Sequence, residues 1–409
     1  MNRATMTYPS SAALGDARPF GADLPSWPVF AADERAAVES VLASGRVNYW
    51  TGTECRLFES EYASYLGVPR AIALANGTVA LELALRVWGI GSGDEVIVTP
   101  RSFIASASCA VLLGARPVFA DVDRCSGNIT ARTIEPLLTA RTRAIILVHL
   151  AGWPCDMDPI LDLAEAHGIK VLEDCAQAHG ARYKGKPVGS IGHAAAFSFC
   201  QDKIITTGGE GGLLAMRDSS VWERAWSFKD HGKTWDAVYE RQHGPGFRWV
   251  HDRFGTNWRM TEMQGAIGRI QLRKLDDWVK VRRRNAAVLT ARLGALPALR
   301  VPAVPSDAHH ACYKFHFYVR PERLKAGWSR DRLLESIQET GVPCFTGSCS
   351  EVYRERAFES SPWAPPSRLP VAAELGETSL MLLVHPTLEE SHMHRVCDRV
   401  EAAVERATG

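Results

Sequence analysis

The sequence predicts an α/β protein with a large domain, built on a mainly parallel seven-stranded sheet flanked by helices, and a smaller C-terminal α+β domain. Two observations predict the large domain. Between about residues 70 and 216, short apolar runs alternate with amphipathic segments of helical length, and the apolar runs lack the polar alternation of strands with one wet face. A third observation predicts the smaller domain: after Trp258 the alternation stops, and a long helical pattern is followed by shorter elements separated by proline-rich loops.

The individual elements follow from the same patterns in chain order. Strands are predicted at residues 71–75, 95–99, 117–121, 143–150, 169–173, 195–199 and 213–216, with helices at 79–88, 104–113, 134–140 and 158–167 between them. The C-terminal part has a predicted helix at 260–293, a strand at 313–319 and helices at 330–339 and 388–407. We divide the chain into an N-terminal arm (residues 1–30), a large domain (31–275) and a small domain (276–409). A basic run at residues 282–284 is expected to form a solvated helix face.

Composition excludes several classes of protein. The 409 residues contain 47 Lys and Arg against 46 Asp and Glu, a balance that argues against nucleic-acid binding. Ten cysteines occur without a CxxC pair, residues 1–20 lack the apolar core of a signal peptide, and no apolar stretch is long enough to span a membrane. We therefore expect reduced thiols, no membrane association and a cytoplasmic location. The histidines have no companions at ligand spacing, so no metal site is expected.

Ligands bind beyond the carboxyl ends of strands in an open parallel sheet, so we searched the residues that follow each predicted strand. Asn76, Gly77 and Thr78 join the first strand to its helix. This link is either a cradle for a phosphate or a plain helix N-cap, and its position in the sequence alone favours the cap. The glycine-rich residues 208–212 lack the Lys-Ser/Thr ending of a P-loop and predict a tight turn.

Three other strand ends carry chemically useful side chains. Asp174 follows one apolar strand, Ser198 and Lys203 follow another, and Phe103 follows a third. Each has an ordinary alternative: a solvated carboxylate, a surface amine or a core aromatic ring. Together, however, a phosphate cradle, a stacking ring, a carboxylate for a ring nitrogen and a lysine able to form a Schiff base are what pyridoxal phosphate (PLP) requires.

At this point the sequence resembles the DegT–StrS family of nucleotide-sugar aminotransferases, which are fold type I PLP enzymes. The matching motifs lie in the expected order at residues 76–81, 93–97, 148–152, 173–180, 197–199 with Lys203, 209–212 and 255–260. The resemblance covers roughly residues 30 to 290, and the C-terminal third is much less distinctive. It implies that the large domain is the PLP-binding domain.

The resemblance also implies a role for each site residue. Lys203 forms the Schiff base (internal aldimine) with PLP and later moves the proton, while Asp174 pairs with the pyridine nitrogen. Gln177 approaches the ring hydroxyl, Phe103 stacks on the ring, and the backbone of Gly77 and Thr78, with Ser198, holds the phosphate. Asn257 corresponds to a residue that such enzymes contribute to the phosphate of the neighbouring subunit, which implies a homodimer with shared active sites.

The implied reaction is a two-stage transamination. An amino donor, glutamate by analogy with the family, converts PLP to pyridoxamine phosphate, whose amine then attacks the ketone of a nucleotide-linked sugar during amino-sugar biosynthesis. Two alternatives remain open: a PLP-dependent sugar dehydratase, which the presence of Lys203 disfavours, and a PLP-binding regulatory protein without turnover. The identity of the sugar is expected to depend on loops near residues 50–52 and 346–353.

Overall fold

The structure, a computed structural model, describes residues 24–359 and 361–408. Most of the predicted N-terminal arm, residues 1–23, therefore lies outside the described residues. The strands are β1 (Arg70–Leu74), β2 (Glu95–Val98), β3 (Arg116–Phe119), β4 (Thr142–Val148), β5 (Lys170–Asp174), β6 (Arg182–Tyr183), β7 (Lys186–Pro187), β8 (Ala194–Ser198), β9 (Gly212–Met216), β10 (Leu299–Arg300), β11 (Ala308–His309), β12 (Phe315–Val319), β13 (Cys344–Phe345) and β14 (Ser379–Leu382).

The α-helices alternate with these strands in the first half of the chain and flank the smaller sheet in the second. They are α1 (Ala32–Ser44), α2 (Glu54–Leu66), α3 (Gly77–Val87), α4 (Ala105–Leu112), α5 (Ala131–Ile134), α6 (Met157–Ala166), α7 (Ser219–Lys229), α8 (Glu262–Leu293), α9 (Arg330–Gln338), α10 (Arg356–Glu359), α11 (Pro370–Thr378) and α12 (Glu390–Thr408). Among the described residues, no helix combines the length and apolar character that crossing a membrane requires.

The main sheet has seven strands in the order β1-β9-β8-β5-β4-β2-β3. The pairings from β8 through β5, β4 and β2 to β3 are parallel, whereas β9 runs antiparallel to both of its neighbours. All residues of β2 and β9 are buried, as expected for strands covered by helices on both faces. The predicted α/β architecture with a mainly parallel, seven-stranded sheet is confirmed.

A second, antiparallel sheet forms the centre of the C-terminal part, in the order β10-β12-β14-β13. The helices α9 and α12 and the end of α8 pack on it around an apolar cluster that includes Phe317, Leu333 and Val400. This arrangement confirms the predicted α+β character of this part. The predicted limit between residues 275 and 276 falls within α8, and the three domain ranges stay a prediction.

Two expectations from the sequence are wrong. The helix predicted at residues 134–140 is instead α5, which ends at Ile134, followed by a single 3-10 turn at Glu135–Leu137. Pro136 lacks the N–H that would continue an α-helix, so the helix narrows to a 3-10 turn and then ends. The basic run at residues 282–284 is not a uniformly solvated face either, because Arg282 is buried, with its guanidinium 5.1 Å from the Trp27 ring.

An aromatic cluster between α2 and α8 supports the strand that leads to Lys203. Phe58 is fully buried, and its ring centroid lies 5.7 Å from that of Tyr62 and 5.2 Å from that of Phe199. On α8, Gly268 lets the helix approach the ring closely, since a Cβ there would lie 2.7 Å from Phe58 Cζ. Phe199 directly follows β8, so this cluster fixes the start of the segment that ends at Lys203.

Replacing Phe58 with Ala should lower the free energy of unfolding by about 3–5 kcal/mol, because it leaves a cavity that the surrounding helices cannot fill. Leu57→Ala is the matched control, since Leu57 is the neighbouring residue on α2 and is exposed. We expect the control to change stability by less than about 0.5 kcal/mol. Calorimetric melting of both variants checks this, and equal effects would contradict the assigned role of the cluster.

Candidate active site

The structure gathers the predicted site residues at one edge of the main sheet. Asp174 ends β5, Ser198 ends β8, and Gly77 begins α3 directly after β1 and Asn76. Because β1, β8 and β5 all run in the same direction, their carboxyl ends meet at this edge.

The start of α3 is both a capped helix end and a point of close backbone approach. Asn76 Oδ1 accepts the N–H of Val79 at 3.0 Å, so the N-cap favoured from the sequence is present. The N–H groups of Gly77 and Thr78 have no partner within the helix, as at any helix start. A Cβ on Gly77 would lie 2.7 Å from that of Ser198, so the helix start, with its free donors, lies directly beside the end of β8.

Asp174 is a buried carboxylate without a cationic partner. Its Oδ2 accepts the hydroxyl of Ser106 at 2.7 Å, and its Oδ1 accepts the N–H of Ala176 at 3.1 Å. Burial raises the pKa of Asp174, whereas these two hydrogen bonds and the charge of Lys203 act to lower it. Among the described residues no ion pair forms on it, so a cation placed against this carboxylate would be held strongly.

Lys203 lies near Asp174, at the end of the segment that follows β8. Its Nζ is 3.4 Å from Asp202 Oδ1 and 5.3 Å from the centre of the Tyr313 ring, and Tyr313 donates its hydroxyl to Asp202. The backbone is held from the other side, where Trp27 Nε1 donates to the Lys203 carbonyl at 2.9 Å. The amine is therefore partly shielded from water and has a carboxylate beside it.

The other predicted residues have distinct environments. Gln177 is buried, and its Oε1 accepts the N–H of Ala151 at 2.7 Å, which fixes the orientation of the amide. Phe103 has 69% of its surface exposed although it follows a buried strand, so its ring is available for stacking. Asn257 is also exposed and pairs through its backbone with Asp230.

Sequence reasoning did not identify Ser106, Trp27 or Tyr313 as site residues. Ser106 bonds Asp174 across 68 positions of the chain, and Trp27 bonds Lys203 across 176. Neither pairing has a local sequence signal. Ser106 could have been suspected only from its place one helical turn after Phe103.

Glu173, the neighbour of Asp174, has a structural role. It belongs, with His149 and Cys175, to the one group of potential metal ligands found among residues 24–359 and 361–408. However, its carboxylate already accepts a bond from His149 at 3.0 Å and three from the backbone N–H groups of residues 189, 191 and 192. Cys155 donates its N–H to His149 Nδ1, so the imidazole donates from Nε2 to Glu173. The carboxylate is saturated by donors that hold the loop after β7.

Comparison with known proteins agrees with this geometry. A model of the DegT/DnrJ/EryC1/StrS aminotransferase family matches residues 28–401. The chain belongs to this family.

Individual relatives are similar over almost the whole chain. The structure of an aminotransferase from Psychrobacter cryohalolentis has a TM-score of 0.92 and 52% identity, covering 94% of this chain and 100% of that one. A structure from S. venezuelae in complex with a ketimine intermediate has a TM-score of 0.82 and 35% identity, covering 91% of this chain and 94% of that one. The dTDP-3-amino-3,4,6-trideoxy-alpha-D-glucose transaminase of Streptomyces venezuelae is 36% identical over 376 residues, covering 92% of this chain and 93% of that protein.

Membership of the family makes the chain an aminotransferase with the fold of the type I enzymes. Aminotransferases of this family depend on PLP, and the residues at this sheet edge fit that cofactor. The free N–H groups beside Ser198 suit a phosphate, and the unpaired buried carboxylate of Asp174 suits a protonated ring nitrogen.

Replacing Gly212 with Ala should weaken cofactor binding and lower the melting temperature. A Cβ at this position would lie 2.1 Å from the Asn76 carbonyl oxygen, so the start of α3 would have to move. Gly91→Ala is the control, since its Cβ would make only an ordinary contact of 3.5 Å with Leu113 O.

We expect the cofactor dissociation constant of the Gly212→Ala variant to rise roughly tenfold or more, in line with the loss of one or two hydrogen bonds to a charged group. Fluorescence titration with PLP measures it. An unchanged constant would show that the helix start does not hold the cofactor.

Proposed function

We propose that this aminotransferase uses PLP to transfer an amino group, with glutamate as donor, to the keto group of a nucleotide-linked sugar. The observation that carries the proposal is that Asp174, a buried carboxylate with no ion pair among the described residues, lies close enough to Lys203 for the charge of the amine to lower its pKa. A relative that is 36% identical is named as a transaminase of a dTDP-linked amino sugar, which supports the substrate class. The wider setting would be amino-sugar biosynthesis.

The residues that would hold the cofactor have separate tasks. The backbone N–H groups of Gly77 and Thr78, with the Ser198 hydroxyl, would bind the phosphate, and Phe103 would cover the ring. Asp174 would keep the ring nitrogen protonated, and Gln177 would donate to the ring hydroxyl from its Nε2 because its Oε1 is already occupied. PLP bound in this way supplies an electron sink for carbanion chemistry.

Lys203 would hold the cofactor covalently and then act as the acid and base of the reaction. Its Nζ, once free, would move a proton between the substrate carbon and the cofactor. Asp202 and Tyr313 form a bonded pair beside this amine and would restrict where it can move. Trp27 would hold the backbone of Lys203 during both steps.

A homodimer with shared active sites is part of this proposal. Three aromatic side chains, Phe247, Trp249 and Phe254, are strongly exposed in the segment just before Asn257, which is itself exposed. Exposed apolar patches of this kind mark protein interfaces. A second copy that covers them would bring Asn257 toward the phosphate group bound by its partner.

We place this reaction in the cytoplasm. All ten cysteines are unpaired in the structure, and most of them are buried. Reduced thiols are typical of that compartment.

Replacing Lys203 with Ala should lower kcat by roughly a hundredfold or more, because the variant loses both the covalent link and the proton carrier. Borohydride reduction followed by peptide mapping should label Lys203 in the wild-type protein and give no label in the variant. Lys184→Ala, which removes an exposed lysine paired with Asp158, is the control. Label at another lysine, or full activity of the Lys203 variant, would overturn the assignment.

The wild-type protein can also be used to distinguish an aminotransferase from a PLP-binding protein without turnover. Wild-type protein incubated with PLP and glutamate should release 2-oxoglutarate and convert to the pyridoxamine form. Retention of the starting absorbance, without 2-oxoglutarate, would favour a binding protein over an aminotransferase.

Shared sites can be tested by mixing two inactive variants, Lys203→Ala and Asn257→Ala, under conditions that exchange subunits. If the sites are shared, a hybrid dimer has one site with both lesions and one with neither. Random exchange makes half of the dimers hybrid, so activity should recover to roughly a quarter of the wild-type value. No recovery would mean that each site is built from a single chain.

A further inference from the structure

Arg101 is a buried cation without an acidic partner. It lies between β2 and Phe103 and is fully buried. Its Nη1 donates to Ser350 Oγ at 2.7 Å, whereas its Nε and Nη2 have no hydrogen-bond partner among the described residues. Burying a charge is costly unless an anion or a full set of acceptors compensates it. The part of the chain that the structure describes supplies neither.

The nearby acidic side chains are occupied elsewhere. Asp121 accepts the backbone N–H groups of residues 371 and 372, both at 2.9 Å. Asp123 accepts those of residues 125 and 126 within its own turn. Glu351 pairs with Arg368 at 2.7 Å. Among residues 24–359 and 361–408, no carboxylate is therefore left to neutralise Arg101.

The free edge of Arg101 has the geometry of a carboxylate receptor. Nε and Nη2 form one side of the planar guanidinium, and their parallel N–H bonds match the two oxygens of a carboxylate. Gly127 backs this edge without a side chain, since a Cβ there would lie 3.4 Å from Nε and 3.0 Å from Leu150 Cδ2.

His316, on β12, brings a second unpartnered donor to the same place. Its Nε2 is buried without a hydrogen-bond partner, and a Cβ on Gly347 would lie 2.9 Å from it. Burial, followed by the charges of Arg101, His310 and Lys314, lowers the pKa of His316 well below its ordinary value. A neutral imidazole can donate one hydrogen bond to an anion. Both side chains lie beneath residues 346–350, which belong to the segment that the sequence links to the identity of the sugar.

We propose that Arg101 and His316 form a carboxylate-binding subsite beneath residues 346–350, and that it holds a carboxylate of the amino donor. This inference rests on the proposed function, in which the donor is an amino acid. The subsite belongs to the same sheet edge as the reacting groups. Next to Arg101, Ser102 Oγ lies 2.9 Å from Ser106 Oγ, which in turn bonds Asp174.

Calorimetric titration with glutarate tests the subsite, because glutarate carries the carboxylates of glutamate without its amine and cannot react. The protein is used as purified, with its cofactor. Arg101→Met should weaken glutarate binding roughly tenfold to a hundredfold, the range expected for a lost charge-assisted hydrogen bond. The control is Arg116→Met, which removes an exposed arginine at the opposite, amino-terminal edge of the sheet. Equal binding by wild type and Arg101→Met would overturn the subsite.

Separate half-reactions distinguish the donor from the sugar as the source of the carboxylate. Arg101→Met should raise the glutamate concentration needed for half-maximal conversion to the pyridoxamine form and leave the reaction with the keto-sugar unchanged. An effect confined to the keto-sugar half-reaction would overturn the donor assignment. Borohydride labelling of Lys203 tests the proposed function independently. If only the subsite is wrong, Lys203 is still labelled but Arg101→Met binds glutarate normally; if the function is wrong, Lys203 is not labelled.

Thermal melting separates ligand binding from a structural role. In the absence of glutamate or glutarate, replacing an unpaired buried charge with an apolar side chain should leave the melting temperature unchanged or raise it. If the Arg101→Met variant melts at a lower temperature without ligand, and this loss of stability explains its weaker glutarate binding, the proposal is overturned. His316→Leu, which keeps Arg101, should weaken glutarate binding roughly twofold to tenfold, as expected for one neutral hydrogen bond, and unchanged binding would remove His316 from the subsite.

Discussion

The unpaired carboxylate of Asp174 is the constraint on which the active site depends. It is buried at the end of a central parallel strand, where a charge has little access to water, and among the described residues its hydrogen bonds come from Ser106 and the Ala176 N–H. Such a group gains most from a cation placed against it, because attraction between charges grows as water is excluded. In the proposed function, this buried carboxylate would bind the protonated ring nitrogen of the cofactor.

Around this carboxylate, the structure supports Lys203 from parts of the chain that are distant in sequence. Trp27 holds its backbone, Asp202 and Tyr313 lie beside its amine, and the aromatic cluster of Phe58 and Phe199 anchors the segment that leads to it. In the proposed function, Lys203 would bind the cofactor and also move a proton, which requires a fixed backbone and a mobile side chain. The bond from Trp27 restrains the main chain, while the amine has the carboxylate of Asp202 beside it, at 3.4 Å.

Arg101 is the electrostatic counterpart of Asp174. Among the described residues, neither has an ion-pair partner of opposite charge. Asp174 ends β5 and Arg101 follows β2, two strands of the main sheet that are separated by β4. Charges that are fixed in place in this way favour ligands of the opposite charge, because the protein does not have to rearrange when the ligand binds. A cationic ring at one position and a carboxylate at the other would together neutralise the site, which agrees with an amino-acid donor reacting on PLP.

The sequence by itself determined the alternation of strands and helices, the sheet edge that holds the site, and the positions of Asp174, Ser198 and Lys203, because apolar runs and strand-end polar residues are local patterns. It placed no elements in the stretches that form α1, α2 and α7, and it misplaced the helix near Pro136 and the exposure of Arg282. Only the tertiary structure decided which side chains meet: Ser106 with Asp174, Trp27 with Lys203, and Arg101 with Ser350 across 249 positions. The physical reason is that burial and the lack of a partner are properties of the surroundings of a residue, which are assembled from the whole chain and leave no trace in the residues next to it.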